Sequence, residues 1–501
     1  MPITSQQLTP WQRRLIPSLT DLLFAVLVFS QLSSRLFKDG DTGWHLWAGM
    51  ETLAHGPRAI PDALSFTRAG VPWRDVSWLA DAIFALLYRH AGYFGVAALV
   101  TLAFAGLFTW LYRILLRETG HVPAAFTATG LAALVGVIQL LARPVVFSLV
   151  LVLAVWELVR VAGRERLALW LLPPLTVLWA NLHPMAFIAP GLAIFGWLTR
   201  GRDRRLALAS LLSLAALGAT PWGFGWLRDM IPTGDNLLLF KSIDEWQTPR
   251  FSELRYRSLF AYLLLALAVR HRGPRLAWGE TLMGLACVAG SLLAVRIGPI
   301  AAILWAPWLA RDLAGRERDD ADECRPGGWA LGRFWQAAQE SLVPFERVLR
   351  PGLWPALISV LLFAFASQWS RALPGVSEGF PAQSFPHRAM VVADSLNLGP
   401  RVVNNFRWGG FVSWVYGGRW KVFIDGRSGF YGGEPLADFV KLWALSPGWQ
   451  EVLERRKLDW MLLQQESSLV VAAPLTGRWR VAYRDSLAAI LTPVPPPGPA
   501  R

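Results

Sequence analysis

Two aspartates one residue apart, with a histidine one helical turn later, stand in the stretch Lys38-Asp39-Gly40-Asp41-Thr42-Gly43-Trp44-His45, directly after the first apolar run of the chain. A carboxylate can take a proton from an attacking hydroxyl, and an imidazole can assist that transfer. Arg143, His183, Glu245 and Arg296 lie at the ends of other apolar runs or in the loop between them, and Arg427 follows Phe423-Ile424-Asp425-Gly426 in the more polar last quarter. Arginine grips phosphate through a planar fork of donors. These residue types fit proton abstraction beside the holding of an anion.

The elements that must carry them are set by composition. The 501 residues are 54% hydrophobic and 12% aromatic, with 27 Trp, and the apolar runs repeat at lengths that suit a bilayer. That pattern excludes a soluble enzyme and predicts a polytopic α-helical membrane protein. About eleven spans can be drawn, at 15–36, 93–116, 122–141, 144–163, 167–182, 184–199, 206–222, 258–272, 277–295, 297–311 and 352–370. Arg13 and Arg14 precede the first, and no small-residue cleavage site follows it, so it reads as a retained helix. Cys287 and Cys324 are the two cysteines, too few for a disulfide framework or a metal cluster.

The formal charge of +14 comes mainly from arginine. Alternate run ends carry it: Arg13 and Arg14; Arg113 and Arg117; Arg160, Arg164 and Arg166; Arg200, Arg202, Arg204 and Arg205; Arg270, Arg272 and Arg275; Arg311, Arg316 and Arg318. Clusters of this kind mark cytoplasmic loops, so the charge reads as a topology signal and not as a nucleic-acid surface. The N-terminus is then cytoplasmic, and the opposite ends face outward. They comprise an outer loop at 37–93 with interfacial helices at 42–55 and 76–90, the turns at Arg143, His183 and Arg296, a second outer loop at 223–257, and everything from 371 onward. Residues 1–311 form the transmembrane module, 312–351 a cytoplasmic linker with an amphipathic stretch at 333–349, and 352–370 the last span. The region 371–501 alternates short apolar runs with helical patterns at 387–397, 436–445 and 448–456, which predicts an extracytoplasmic α/β domain ending in a Pro-rich tail.

Each candidate has a plain structural alternative. Asp41 suits a helix N-cap and Asp39 a loop, and His45 is spaced to pair with Asp41. Arg143 and Arg296 could anchor at lipid headgroups, while Asn181 and His183 could end a helix before Pro184. Asp425-Gly426-Arg427 could be a turn with an ion pair, and Trp44, Trp47, Trp73 and Trp78 suit an interfacial belt.

A long first outer loop opening with Asp39-Gly40-Asp41, a many-helix bundle and an outer α/β domain together resemble the GT-C superfamily of integral-membrane glycosyltransferases. Ser242-Ile243-Asp244-Glu245 is similar to an outer-loop element of oligosaccharyltransferase catalytic subunits, and Phe406-Arg407-Trp408-Gly409 resembles, more weakly, their acceptor-reading motif. Phe406-Arg407 replaces the Trp-Asp pair of that motif, and the turn at Arg143 lacks their second acidic motif, which argues against transfer to an Asn sequon. The chain also resembles a group of bacterial membrane proteins sharing the Asp-Thr-Gly-Trp-His and Phe-Ile-Asp-Gly-Arg segments.

The superfamily resemblance implies a polyprenyl-phosphate sugar donor, a glycan, lipid or protein acceptor, and inversion at the anomeric carbon, in a bacterial inner membrane. On that reading Asp41, or failing it Asp39, is the base; Arg143 and Arg296 hold the departing phosphate; and His45, His183, Glu245 and Arg427 contact substrate. Asp39, Asp41 and Glu245 would hold a divalent cation, Mg or Mn, if one is used. A glycan ligase on the same scaffold, a lipid or polysaccharide transporter, and a non-catalytic assembly factor are the rival readings.

Overall fold

The computed structural model describes residues 8–161, 168–199, 203–229, 244–270, 276–322 and 330–495. Arg164, Arg166, Arg200, Arg202, Arg272, Arg275, Cys324, the Ser242-Ile243 half of the outer-loop element and the end of the Pro-rich tail lie outside them.

Every apolar run drawn as a span is helical over most of its described length, for example Leu19–Gln31, Val122–Gly136, Val145–Val161, Leu172–Leu182, Arg257–Arg270 and Gly298–Asp322. Length separates them. Among the described residues, Gln12–Gln31, Trp78–Thr119 and Val122–Gln139 are long and apolar enough to cross a membrane. Leu353–Ala364 with Ala366–Ala372, bent by 81°, makes a fourth if taken as one span. Among the described residues the expected count of eleven is therefore not confirmed. Ala168–Leu182, Pro184–Thr199 and Trp278–Leu293 belong to the apolar helices of 10–17 residues; at 1.5 Å per residue these reach at most ~25 Å, against a hydrocarbon core of ~30 Å. The first two are parted at His183, whose extended backbone precedes Pro184.

The helices expected at 42–55 and 76–90 are present as Asp41–His55 and the front of Trp78–Thr119. That long helix is interrupted at Ala91 and Gly92, where Gly92 takes φ 58°, a conformation open to glycine. The amphipathic stretch of the linker is the helix Ala330–Val348.

Two short strands between the helices Asp41–His55 and Trp78–Thr119, β1 (Ile60–Pro61) and β2 (Pro72–Trp73), pair antiparallel. The last part of the chain contains a five-stranded sheet of β3 (Arg401–Asn404), β4 (Lys421–Val422), β5 (Trp460–Gln464), β6 (Trp479–Arg484) and β7 (Ala488–Pro493), in the order β4-β3-β5-β7-β6. β3 runs parallel to β4 and β5, while β7 is antiparallel to β5 and β6. Alternate side chains of β5 enter different cores: Met461 and Leu463 pack with Leu436 and Leu469, and Trp460 and Leu462 with Met390 and Phe411. Helices cover both faces, so β5 is apolar along nearly its whole length.

The segment that follows helix Asp41–His55 is bound to this sheet. Phe66 N–H donates to Val422 O at 3.1 Å and Val422 N–H to Leu64 O at 3.0 Å, extending the β4 edge with a segment from the other end of the chain. Glycines allow a second contact. A Cβ on Gly40 would lie 2.1 Å from Arg407 O, one on Gly43 2.1 Å from Gly410 O, and one on Gly410 2.2 Å from Gly40 O. The front of helix Asp41–His55 thus lies backbone to backbone on the helix Gly409–Val415. We expect Gly43→Ala and Gly410→Ala each to destabilise by about 1–3 kcal/mol through overpacking. Gly106→Ala, with open space at its Cβ, should be neutral or stabilising by up to about 1 kcal/mol. Thermal unfolding in detergent checks both; equal melting of all three variants would remove the glycine contact as a constraint.

Candidate functional site

Backbone hydrogen bonds bring the turn before helix Val145–Val161 up to the start of helix Asp41–His55. Ala142 N–H donates to Leu36 O at 2.8 Å, and Thr42 Oγ1 donates to Ala142 O at 3.0 Å. Arg143 follows directly and meets the acidic pair. Its Nη1 lies 2.7 Å from Asp39 Oδ2 and 2.7 Å from Glu245 Oε1, and its Nη2 lies 3.1 Å from Asp41 Oδ2. Glu245 is fixed in turn because Val295 N–H donates to Gln247 O at 3.1 Å, drawing its loop to the turn at Arg296. Arg296 Nη2 is 4.0 Å from Glu245 Oε2, and its guanidinium carbon lies 4.2 Å from the centroid of the Trp246 ring.

Five of the expected site residues, Asp39, Asp41, Arg143, Glu245 and Arg296, therefore form one ion-pair cluster. Their individual roles differ from the expectation. The capping contact belongs to Asp39, whose Oδ1 accepts from Asp41 N–H at 3.1 Å, so Asp41 is left free of the cap. Arg143 is saturated by three carboxylates and is not an open phosphate fork. Arg296 is the less committed cation: among the described residues its buried Nε has no hydrogen-bond partner.

Burial, and secondarily Asp39, raise the Asp41 pKa from its ordinary 3.8 to about 7, against the pull of Arg143. Glu245 moves the other way. Burial pushes it up, but Arg143 and Arg296 more than offset this and hold it below the usual carboxylate range. Burial also opposes the Arg143 charge, while Glu245, Asp39 and Asp41 keep its pKa above the ordinary value. For Arg296 burial prevails despite Glu245, and its pKa is lowered.

The histidines flank this cluster and have partners that their sequence spacing does not reveal. His45 does not pair with Asp41. Its Nδ1 lies 2.7 Å and 2.9 Å from the two carboxylate oxygens of Asp81. Asp75 adjoins Asp81 and is pushed up to about 6, chiefly by burial. Asp75 Oδ2 has no N–H or O–H donor partner, so the two carboxyls can bond to each other only by sharing a proton. Wherever that proton rests between them, an Asp81 oxygen remains to accept from His45 Nδ1–H. Burial, with Arg143 and His183 nearby, holds His45 below its usual range and therefore neutral, leaving Nε2 as an acceptor.

His183 has the opposite polarity. Trp179 Nε1–H donates to Ser148 Oγ at 2.7 Å, so the Ser148 proton is directed at His183 Nδ1, 2.8 Å away. Met185 N–H also approaches that nitrogen at 3.4 Å. The neutral His183 ring thus carries its proton on Nε2 and presents a donor. Asn181 has a structural part, donating to Val177 O and Ala219 O at 2.8 and 2.9 Å and accepting from Trp78 Nε1 at 2.8 Å.

Arg427 stands outside the ion-pair cluster. Its side chain is fully buried, held by Asp425 at 2.7 Å, Asp62 at 2.8 Å and the Tyr431 hydroxyl at 3.0 Å, and it clasps the segment carrying Asp62 to the sheet region. Its neighbour Gly426 is the one that reaches the site: a Cβ there would fall 1.7 Å from Asp41 Oδ1. Asp75, Asp81, Ser148 and Gly426 join the site without being among the residues that the sequence pattern marks. Asp81 had a readable signal, a carboxylate among Ala80, Phe84 and Ala85 on the buried face of an amphipathic helix. Gly426 had none, since its neighbour lies 385 residues away by difference of the two numbers.

A divalent cation does not fit this donor set. Asp39, Asp41 and Glu245 converge on the Arg143 guanidinium, which already fills the place between them, and no grouping of three or more His, Cys, Asp or Glu suited to a metal occurs among the described residues.

No protein-family model and no curated protein matches the chain. Among solved structures it is similar to ArnT from Cupriavidus metallidurans bound to undecaprenyl phosphate, at 14% identity and a TM-score of 0.47, over 95% of this chain and 98% of that one. The same protein in the apo state gives 14% identity and a TM-score of 0.47 over 94% and 97%.

Removing Arg143 strands three carboxylates in a largely buried place. Arg143→Ala is expected to cost about 3–5 kcal/mol, and Arg143→Lys, which keeps the charge but loses the fork, less. Chemical denaturation in detergent measures the difference; an Arg143→Ala protein as stable as the parent would mean that the cluster is hydrated and loosely held.

Proposed function

We propose that the chain is a membrane glycosyltransferase of GT-C type. It moves a sugar from a polyprenyl-phosphate donor to an acceptor hydroxyl at the extracytoplasmic face of a bacterial inner membrane. The observation that carries this reading is the meeting of Asp39, Asp41 and Glu245 with Arg143 and Arg296 in one largely buried ion-pair cluster.

In the proposed reaction Asp41 takes the proton of the acceptor hydroxyl. The oxygen attacks the anomeric carbon from the face opposite the phosphate, and the bond from that carbon to the phosphate oxygen breaks. Negative charge grows on the departing polyprenyl phosphate, where Arg296 and His183 Nε2–H supply donors. Arg143 holds Asp39, Asp41 and Glu245 in register and limits their mutual repulsion. His45 Nε2 offers a hydrogen-bond acceptor to a substrate hydroxyl. A base with a pKa near the working pH is efficient because it is ionised in useful amount and still takes a proton readily.

A glycan ligase on the same scaffold is the second reading, favoured by the engagement of Asp41 with Arg143, which leaves Arg296 and the histidines as the freer groups. The two differ in what Asp41 does.

The base assignment requires that Asp41→Asn abolish sugar transfer while the protein still inserts and purifies; full activity would refute it, and loss only in Arg296→Ala would favour the ligase. The pH dependence has a definite sign. A base must be ionised, so kcat/KM for the parent should rise with pH through about 7 and level off above it. For stability the sign is reversed: between about 4 and 7 the folded protein keeps a proton that the unfolded chain has released, so this contribution to folding is lost as pH rises. A flat rate profile from pH 5 to about 9 would remove Asp41 as the titrating base.

A further inference from the structure

Gly40, Gly43 and Trp47 lie on one side of helix Asp41–His55, at the three- and four-residue spacings that make neighbours on a helix surface. The two glycines press against Arg407 and Gly410. Trp47 reaches past that contact, and a cavity of about 220 Å³ opens beside it, lined by Trp47, Ser413, Trp414, Gly417, Gly418 and Lys421 among others. Its size is below the ~300–1,000 Å³ of sites for drug-sized ligands and suits a single ring.

Both indoles are held from behind. Trp47 stacks with Trp73 at 6.3 Å between ring centroids, with the Arg427 guanidinium carbon 5.6 Å from its ring. Trp414 donates through Nε1 to the Tyr93 hydroxyl at 3.0 Å and meets the Tyr88 ring edge-on at 5.3 Å. Rigid aromatic walls cost little order on binding. The polar groups are few and directional. Ser413 is 3% exposed, and its hydroxyl is buried with no hydrogen-bond partner. Lys421 donates to Ala63 O at 2.7 Å and retains further ammonium protons. No carboxylate lines the cavity.

We infer that this cavity is a saccharide subsite that takes one pyranose ring, with the ring's C–H face on an indole and its hydroxyls on Ser413 and Lys421. An alkyl chain would match the indoles and leave the Ser413 hydroxyl unpaired; a pyranose satisfies both kinds of wall. Asp41 and Trp47 are six residues apart, about 9 Å along the helix axis. On the glycosyltransferase reading, which the inference extends, the subsite holds a ring of the acceptor a short way along the glycan from the hydroxyl that reacts.

The test uses the full chain purified in detergent and titrated with methyl β-glucopyranoside, methyl α-mannopyranoside, N-acetylglucosamine and methyl β-glucuronoside. Tryptophan fluorescence and saturation-transfer NMR follow binding. At least one probe should bind saturably. Trp47→Leu should weaken it about fivefold or more, as expected for loss of an aromatic platform, and Ser413→Ala should also weaken it. Ala63→Trp, placed on an exposed rim position, should block it while the melting profile stays that of the parent. Absence of binding by all four probes overturns the inference, as does binding that survives in a folded Ala63→Trp protein. Asp41→Asn should bind the sugar as the parent does. If that variant also transfers sugar, the base assignment falls and the subsite stands; if it binds no sugar, the subsite is not separate from the cluster and the inference falls.

Discussion

Asp41 can be buried only because the chain carries no side-chain atoms at the places where two distant backbones cross it. Gly40 and Gly43 on one side and Gly410 and Gly426 on the other allow the helix Asp41–His55 and the sheet region to approach to contact. Much of the site chemistry follows from this closeness. The cover removes water from the Asp41 carboxyl, burial moves its pKa toward neutrality, and the neighbouring arginine gains strength from the lowered dielectric. Methyl groups at the crossing points would part the surfaces and return Asp41 to an ordinary solvated state.

Within that enclosure the charges are arranged around Arg143. Three carboxylates and two guanidinium groups leave a formal excess of one negative charge, by subtraction, when all are ionised. The raised pKa of Asp41 shows which carboxyl yields first. Glu245 stays ionised between two arginines, Asp39 doubles as the cap of the helix on which Asp41 sits, and Asp41 is left as the group whose protonation can change near neutral pH. The histidines add polarity without adding charge. His45 is oriented by an acidic pair and His183 by a serine, so one presents an acceptor and the other a donor.

Much of this was legible from the chain alone. Apolar runs gave helices, and arginine at alternate run ends sorted the polar residues into two groups, one of which holds every member of the ion-pair cluster. The match follows from cost: charged groups near a bilayer persist where they pair, so the unusual ones gather. Other features were hidden for physical reasons. Several runs that read as spans form apolar helices of 10–17 residues among the described residues, because hydropathy records composition and not the length over which the backbone stays helical. The spacing of His45 from Asp41 suggested a pair along one helix, yet the partner is Asp81 on another. Arg143 looked like a free phosphate ligand because no sequence pattern says how many carboxylates will reach it. The glycines of the crossing gave no periodic signal, since each is required by an atom far away in the chain.

The separation of Asp41 from Gly426 along the chain has a consequence for biosynthesis. The acidic pair and Arg143 leave the ribosome and reach the bilayer first, and the residues that cover them follow on the order of tens of seconds later at ordinary translation speed. Until Gly426 has packed on it, Asp41 lacks the cover that raises its pKa. The chemistry proposed for it therefore needs the last quarter of the chain to have docked, a condition that the connectivity itself imposes.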